Sequence, residues 1–324
     1  MNVSSRSLSR LRLNSFAALG RVGMDLYADP PGTRVEEARS FTVALGGSAG
    51  NIAVALARQG ARAQLISAVS DDAVGRYCLA ELGRYGVGAA HVRTVGGEAR
   101  NSLAVTETRA EGCQVVLYRN QAADFHLSEA QIDVIDFAAL GALIVTGTAL
   151  AAEPSRAATR LAMRRAREAG ALVVLDLDYR AYSWPSRKEA ASVCEDAAWA
   201  SDIVIGNDEE FGLLAGALEA GEDLAAELAT GAAFVTYKKG AEGSVTFAQG
   251  ARIETPVYPV AALKPMGAGD GFMGGLMAGL ARGVDLAAAL CRGSATAAMI
   301  VAGIGCAPAS PDTTELDQFL AARG

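Results

Sequence analysis

A chain of 324 residues suits one large α/β domain or two modest ones. Its net charge of −7 argues against a nucleic-acid partner, and two histidines exclude a histidine-rich metal centre. Five scattered cysteines with no Cys-x-x-Cys pair suit a reducing, cytoplasmic setting, and with histidine only at His91 and His126 the chain offers little for a serine–histidine triad.

In chain order, the basic, serine-bearing start MNVSSRSLSRLRLNSF has no apolar core and reads as a short disordered lead, not a secretory signal. Leu26 to Val43 and Ser102 to Tyr118 alternate, the second around a turn at Glu111-Gly112. Both predict antiparallel hairpins, lid segments near 24–45 and 100–120 that form a small accessory sheet. Between them, Gly46-Gly47 precede a helix whose first turn holds Ser48 and Asn51, with Ile52, Ala55 and Leu56 facing inward. Spacing alone leaves a helix cap and a ligand site equally open there. Asp72 reads as a cap.

The middle of the chain repeats one grammar. Strands are predicted at Ala142 to Gly147, Ala171 to Asp178, Asp202 to Gly206 and Ala232 to Lys238, with helices at Glu153 to Ala169 and Arg187 to Trp199. Alternating strands and helices imply a mostly parallel sheet with helices on both faces, in one domain over 1–324. Such sheets bind ligands beyond the carboxyl ends of their strands, where Asp176, Asp178, Arg180, Asn207, Glu210 and Lys238 fall.

Thr255 to Leu263 looks extended, and KPMGAGDGFMGG follows it. The apolar spacing predicts a helix from about Gly269 to Arg282, and the free amides at its start are a ready anion site. Taken alone, Gly267 to Asp270 reads as a turn with a capping aspartate. The glycines at 271, 275, 279 and 283, four apart, read as close helix packing. Ser294 to Pro311 approaches spanning length but reads as a buried alanine helix ending in a turn, so no membrane partner is expected.

GGSAGNIAVALARQGA with VSDDAVGRYCLAELGRYGV, and later MGAGDGFMGGLMAGLARG, resemble the two signatures of the ribokinase-type, or PfkB, carbohydrate kinases. The resemblance runs from about Leu19 to Pro311 and implies a ribokinase-like fold with a small antiparallel β lid. GRVGMDLYADPPGTR, YRNQAADF, TGTALAAEPSR, DLDYRAYSWPS and NDEEF are similar to the branch acting on a keto-acid sugar of inositol breakdown. The implied reaction is ATP-dependent phosphorylation of a primary hydroxyl, that of 5-dehydro-2-deoxy-D-gluconate at its 6-position. Phosphorylation of 2-keto-3-deoxygluconate, and a catalytically silent sugar-binding regulator, are the alternatives. A homodimer through the lid is a further expectation.

By resemblance, Asp270 matches the catalytic base, and the amides of Gly267, Ala268 and Gly269 an anion hole. Asp25, Gly46, Gly47 and Asn51 match sugar-hydroxyl positions, and Arg119 and Arg180 positions that meet a substrate carboxylate. Asn207 and Glu210 match a pattern tied to Mg²⁺ and phosphate, with Glu210 acting through water. Lys238, Gly240 and Gly243 match the nucleotide-side loop. Phosphoryl transfer needs positioning and charge neutralisation, and the base need not have a raised pKa.

Plainer roles stand beside these. Arg119 and Arg180 would also serve as ordinary ion-pair partners, and Glu210 as a helix-start carboxylate. Tyr182 and Trp184 read as packing residues, and Asp176 and Asp178 as strand-end structural groups outside the site. The chain departs from the family at Lys264-Pro265-Met266, where Asp-Thr-x is usual. That aspartate serves a monovalent-cation site in several relatives, so the resemblance leaves such a site open. Either the Lys264 ammonium replaces the cation, or it points to solvent.

Overall fold

The computed structural model describes residues 8–109 and 111–323. Residues 1–7 of the expected lead lie outside these. Leu8–Leu13, also within the expected lead, form a 3-10 turn that buries Leu11.

Among the described residues, thirteen strands form two sheets. The chain opens with β1 (Ser15–Leu19), β2 (Gly23–Asp29), β3 (Ser40–Gly46), α1 (Ser48–Arg58), β4 (Arg62–Ser70) and α2 (Ala73–Arg84). Then come β5 (Gly88–Val95), β6 (Ser102–Thr106), β7 (Val115–Tyr118) and the single turn α3 (Glu129–Ile132). The alternating middle is β8 (Ala142–Thr146), α4 (Ser155–Glu168), β9 (Leu172–Asp176), α5 (Arg187–Trp199) and β10 (Ile203–Asn207). It continues with α6 (Asp208–Ala215), α7 (Gly221–Leu228), β11 (Phe234–Lys238), β12 (Ser244–Ala248) and β13 (Ala251–Thr255). Three helices close the chain: α8 (Ala268–Arg282), α9 (Leu286–Val301) and α10 (Thr313–Ala321).

The large sheet has the order β13-β12-β11-β10-β9-β8-β1-β4-β5, parallel from β11 to β5, with β12 and β13 added antiparallel. Its strands are apolar on both faces, so each face needs a cover of helices. Leu143, Val145, Val173, Leu175 and Val235 pack toward Ala162, Val193, Ala197 and Leu228 of α4, α5 and α7. The alternate residues Ile144, Val174, Ile203 and Phe234 pack toward Ile52, Met273, Met277 and Leu290 of α1, α8 and α9.

The four-spaced glycines of α8 lie against α9. A Cβ at Gly271 would meet Ile300 Cδ1 at 2.4 Å, and one at Gly275 would meet Thr296 Oγ1 at 2.4 Å. Packing is therefore the role of Gly271, Gly275 and Gly279, as their spacing indicated, whereas Gly283 lies just past α8 and caps it in the left-handed conformation, φ +86°.

The small sheet has the order β3-β2-β6-β7. Both hairpins of this lid are antiparallel as expected, and they join through a parallel pairing of β2 with β6. The two hairpins join side by side, and nothing local to either one encodes that pairing. The extended run after β13 is also shorter than expected. The strand stops at Thr255, because Pro256 and Pro259 have no N–H to give to a ladder. Among the described residues, no helix is long and apolar enough to cross a membrane.

Candidate active site

A cavity of about 730 Å³ opens between the inner face of the lid and the carboxyl ends of β1, β9, β10 and β11. The turn into α8 forms its floor. Gly267 holds φ +82°, a left-handed conformation, and a Cβ there would meet Cys306 Sγ at 2.3 Å, so the turn requires glycine. The opening amides of α8 have no carbonyl one turn back to bind, which leaves them facing the cavity as donors. Lys238, at the end of β11, brings its Nζ to 3.1 Å from where a Cβ on Gly269 would stand. A helix start and an ammonium thus converge on one anion-binding spot.

Asp270 lies in the first turn of α8, enclosed by protein yet open to the cavity. Asn51 of α1 donates from Nδ2 to Asp270 Oδ2 at 2.7 Å, while its own Oδ1 is buried without a partner. Burial first, and then the charge of Asp178, push the Asp270 carboxyl up to about 6, against the pull of Asn51, Arg180 and Arg21. The resemblance did not require that rise; enclosure beside other carboxylates produces it.

The sugar-side residues come from the lid and α1. Asp25 of β2 faces inward, accepts a hydrogen bond from the Tyr27 hydroxyl at 3.1 Å, and is raised above the usual range by burial. Gly47 lines the cavity, whereas Gly46 does not. A Cβ at Gly46 would meet Asp25 Oδ1 at 2.0 Å, so Gly46 makes room for the carboxylate instead of touching a ligand.

Asn207 and Glu210 form a reciprocal cap on α6: Glu210 N–H donates to Asn207 Oδ1, and Asn207 N–H to Glu210 Oε2, both at 2.8 Å. Glu210 Oε1 also accepts from Tyr179 N–H at 3.0 Å. With both oxygens engaged by amides, Glu210 suits a contact to Mg²⁺ through water, since that ion keeps several of its waters. No group of three or more His, Cys, Asp or Glu among the described residues is arranged to hold a metal ion. Gly240 and Gly243 both line the cavity after β11.

Arg119 is a correction. It lies outside the cavity wall, buried against Asp124, with Ser183 Oγ at 2.9 Å and the Phe125 ring 4.2 Å from its guanidinium carbon. Arg180 does line the cavity, paired with Asp178 Oδ1 at 3.0 Å.

The structure also adds residues that were left out. Asp176 and Asp178 both line the cavity. Burial holds Asp176 well above the usual range; Lys238 opposes this, and the neighbouring carboxylates add to it. At Asp178 burial is outweighed by Arg180, Arg21 and a hydrogen bond from Thr148 Oγ1 at 2.9 Å, so its carboxyl is lowered. Tyr182 is exposed and lines the cavity, while Trp184 packs in the core as expected. Arg21 and Tyr27 also face the cavity. The available signal for Arg21 was its place just past the carboxyl end of β1.

Lys264 is fully buried and does not point to solvent. Its Nζ donates to the carbonyls of Met266 at 2.9 Å and Ile300 at 3.2 Å, and faces Cys306 Sγ at 3.8 Å. The ammonium sits at the negative end of α9 and ties it to the turn that opens α8.

A carboxylate beside an anion-binding helix start, under a lid, defines a kinase of small molecules. Residues 14–313 match the pfkB family of carbohydrate kinases, and the chain belongs to that family. It is 39% identical over 311 residues to a 5-dehydro-2-deoxygluconokinase of Photobacterium profundum, covering 94% of each chain. It is 34% identical to one of Geobacillus kaustophilus, covering 94% of this chain and 93% of that one. Among solved structures, a double mutant of Vibrio cholerae O395 fructokinase, bound to fructose, ADP and potassium ion, aligns with a TM-score of 0.83. That pair is 25% identical and covers 94% of this chain and 98% of the other.

Proposed function

We propose that this carbohydrate kinase transfers the γ-phosphoryl group of ATP to the primary hydroxyl of a keto-acid sugar, 5-dehydro-2-deoxy-D-gluconate, at its 6-position. One observation carries the chemistry: Asp270, with its carboxyl pushed up to about 6, stands at the amide-rich start of α8 beside Lys238. The substrate hydroxyl attacks the γ-phosphorus, the bridging P–O bond to ADP breaks, and the hydroxyl proton passes to Asp270. The amides of Gly267, Ala268 and Gly269, with Lys238, stabilise the charge on the moving phosphoryl oxygens. Asp25, Gly47 and Asn51 orient the sugar, and Gly240 and Gly243 border the nucleotide. Glu210, whose oxygens are engaged by amides, would hold Mg²⁺ through water, and the ion when bound would supply charge neutralisation for the phosphates. The names of the relatives support the choice of acid.

The whole chain acts as one unit, with the lid closing over the sugar. The lid's outer face supports a homodimer: Val43, Leu26, Val105 and Val116 stand in one register row across its four strands. Val43 and Val116 are each 45% exposed, and Tyr118 on the same face is 58% exposed. Five free cysteines fit a cytoplasmic setting.

A coupled ADP-release assay on 5-dehydro-2-deoxygluconate, 2-keto-3-deoxygluconate and fructose tests the function. The first acid should give the highest kcat/KM. Preference for 2-keto-3-deoxygluconate would move the chain to that substrate, and silence on all three would remove the kinase reading.

A further inference from the structure

The cavity is lined by Arg21, Arg180, Lys238 and Lys264, and an acid substrate needs a cation to meet its carboxylate. Three of them already have work. Arg180 lies against Asp178 Oδ1 at 3.0 Å and Glu210 Oε1 at 3.9 Å. Lys264 directs its three donors at Met266, Ile300 and Cys306. Lys238 stands over the start of α8, where the phosphates belong, with Asp176 in its field.

Arg21 differs. Its side chain makes no hydrogen bond or ion pair among the described residues, and its Nε is buried without a partner. Its position is nevertheless fixed. Gly50 N–H donates to the Arg21 carbonyl at 3.1 Å, and a Cβ on Gly47 would meet that carbonyl at 2.6 Å. The peptide is thus pinned to the start of α1, on the wall shared with Asp25 and Asn51. Its charge reaches Asp25, Asp178, Tyr182 and Asp270. A buried guanidinium N–H with no acceptor is costly unless a ligand supplies one.

We propose that Arg21 receives the substrate carboxylate, through Nε and one terminal nitrogen, and thereby sets the preference for acid over neutral sugars. A side-on pair of parallel N–H···O bonds is the contact that a guanidinium offers and an ammonium cannot. The proposal rests on the acid-sugar reading above and replaces Arg119 in the role that the family resemblance gave it.

The test compares kcat/KM for 5-dehydro-2-deoxygluconate and for its neutral carboxamide, in the wild-type chain and in Arg21→Gln, Arg21→Lys and Arg180→Gln. The wild type should favour the acid. Arg21→Gln should lose about ten- to a hundred-fold on the acid, mainly through KM, and little on the carboxamide. Arg21→Lys should recover part of the loss. Arg180→Gln should lower both substrates alike, because it loosens Asp178 and Glu210. Turnover of the carboxamide reports that a variant is folded; if Arg21→Gln does not fold, the acid-to-amide ratio of Arg21→Lys gives the same reading. Equal losses on both substrates in the Arg21 variants would overturn the proposal while leaving the acid-sugar reading intact. A wild type indifferent to the carboxylate would overturn both.

Discussion

Asp270 and Lys264 are the residues whose environment departs most from their sequence context. The folded-state pKa of Asp270, about 6, lies above the ordinary value of 3.8, so folding favours its protonated form. Stability on this account is fullest below the ordinary value and falls as pH rises toward 6. Catalysis needs the ionised form and moves the other way: kcat/KM should fall about tenfold per pH unit below a limb near 6. Asp270→Asn should lose ~10²–10⁴-fold in turnover, yet gain up to ~3 kcal/mol of stability at pH 7 because it cannot ionise. A pH–rate profile and thermal melts check both halves; a variant keeping a tenth of wild-type turnover would return Asp270 to the role of a cap. At Lys264 the ammonium occupies a cradle of carbonyls of the sort that holds a metal cation. Exchange of potassium for a large organic cation at constant ionic strength should therefore change activity little, and Lys264→Asp should create potassium dependence or abolish activity. Strong potassium activation of the wild type would contradict this. The departure of Lys264 from the family pattern was visible in the sequence, but its burial was not, since the α9 carbonyl that receives it is 36 residues away.

Among the elements, the alternating strands and helices could be read directly, because each carries its own period of apolar residues. α5 matches its predicted span, and α8 starts one residue before its predicted start. Non-local pairing could not be read: β2 joins β6 across more than 70 residues, and no local pattern carries that information. The same pairing makes the lid two-faced. Asp25, Tyr27, Ala104 and Leu117 face the cavity, and the Val43–Leu26–Val105–Val116 row faces away. Burial of that row against a second copy predicts a dimer in solution, which Val43→Asp with Val116→Asp should dissociate. Light scattering across a concentration series reads the result, and a wild type that stays monomeric throughout would contradict it.

For the whole molecule, the paired glycine signatures come together at one cavity because both lie at the rim of one parallel sheet, where its strands end. What they could not give is which cation meets the substrate. Arg119 and Arg180 sit in matching motifs, but Asp124 and Asp178 have engaged them, and Arg21 is left facing the cavity. The enclosed carboxylate, the helix start and the lid together support phosphoryl transfer to a small acid sugar. The most direct test incubates the enzyme with ATP and an equal mixture of 5-dehydro-2-deoxygluconate and 2-keto-3-deoxygluconate, and identifies the phosphorylated product by phosphorus NMR and mass spectrometry. The account predicts one phosphomonoester, on the primary hydroxyl of 5-dehydro-2-deoxygluconate, in step with ADP. Phosphate on the other acid, or ADP with only inorganic phosphate, would contradict it.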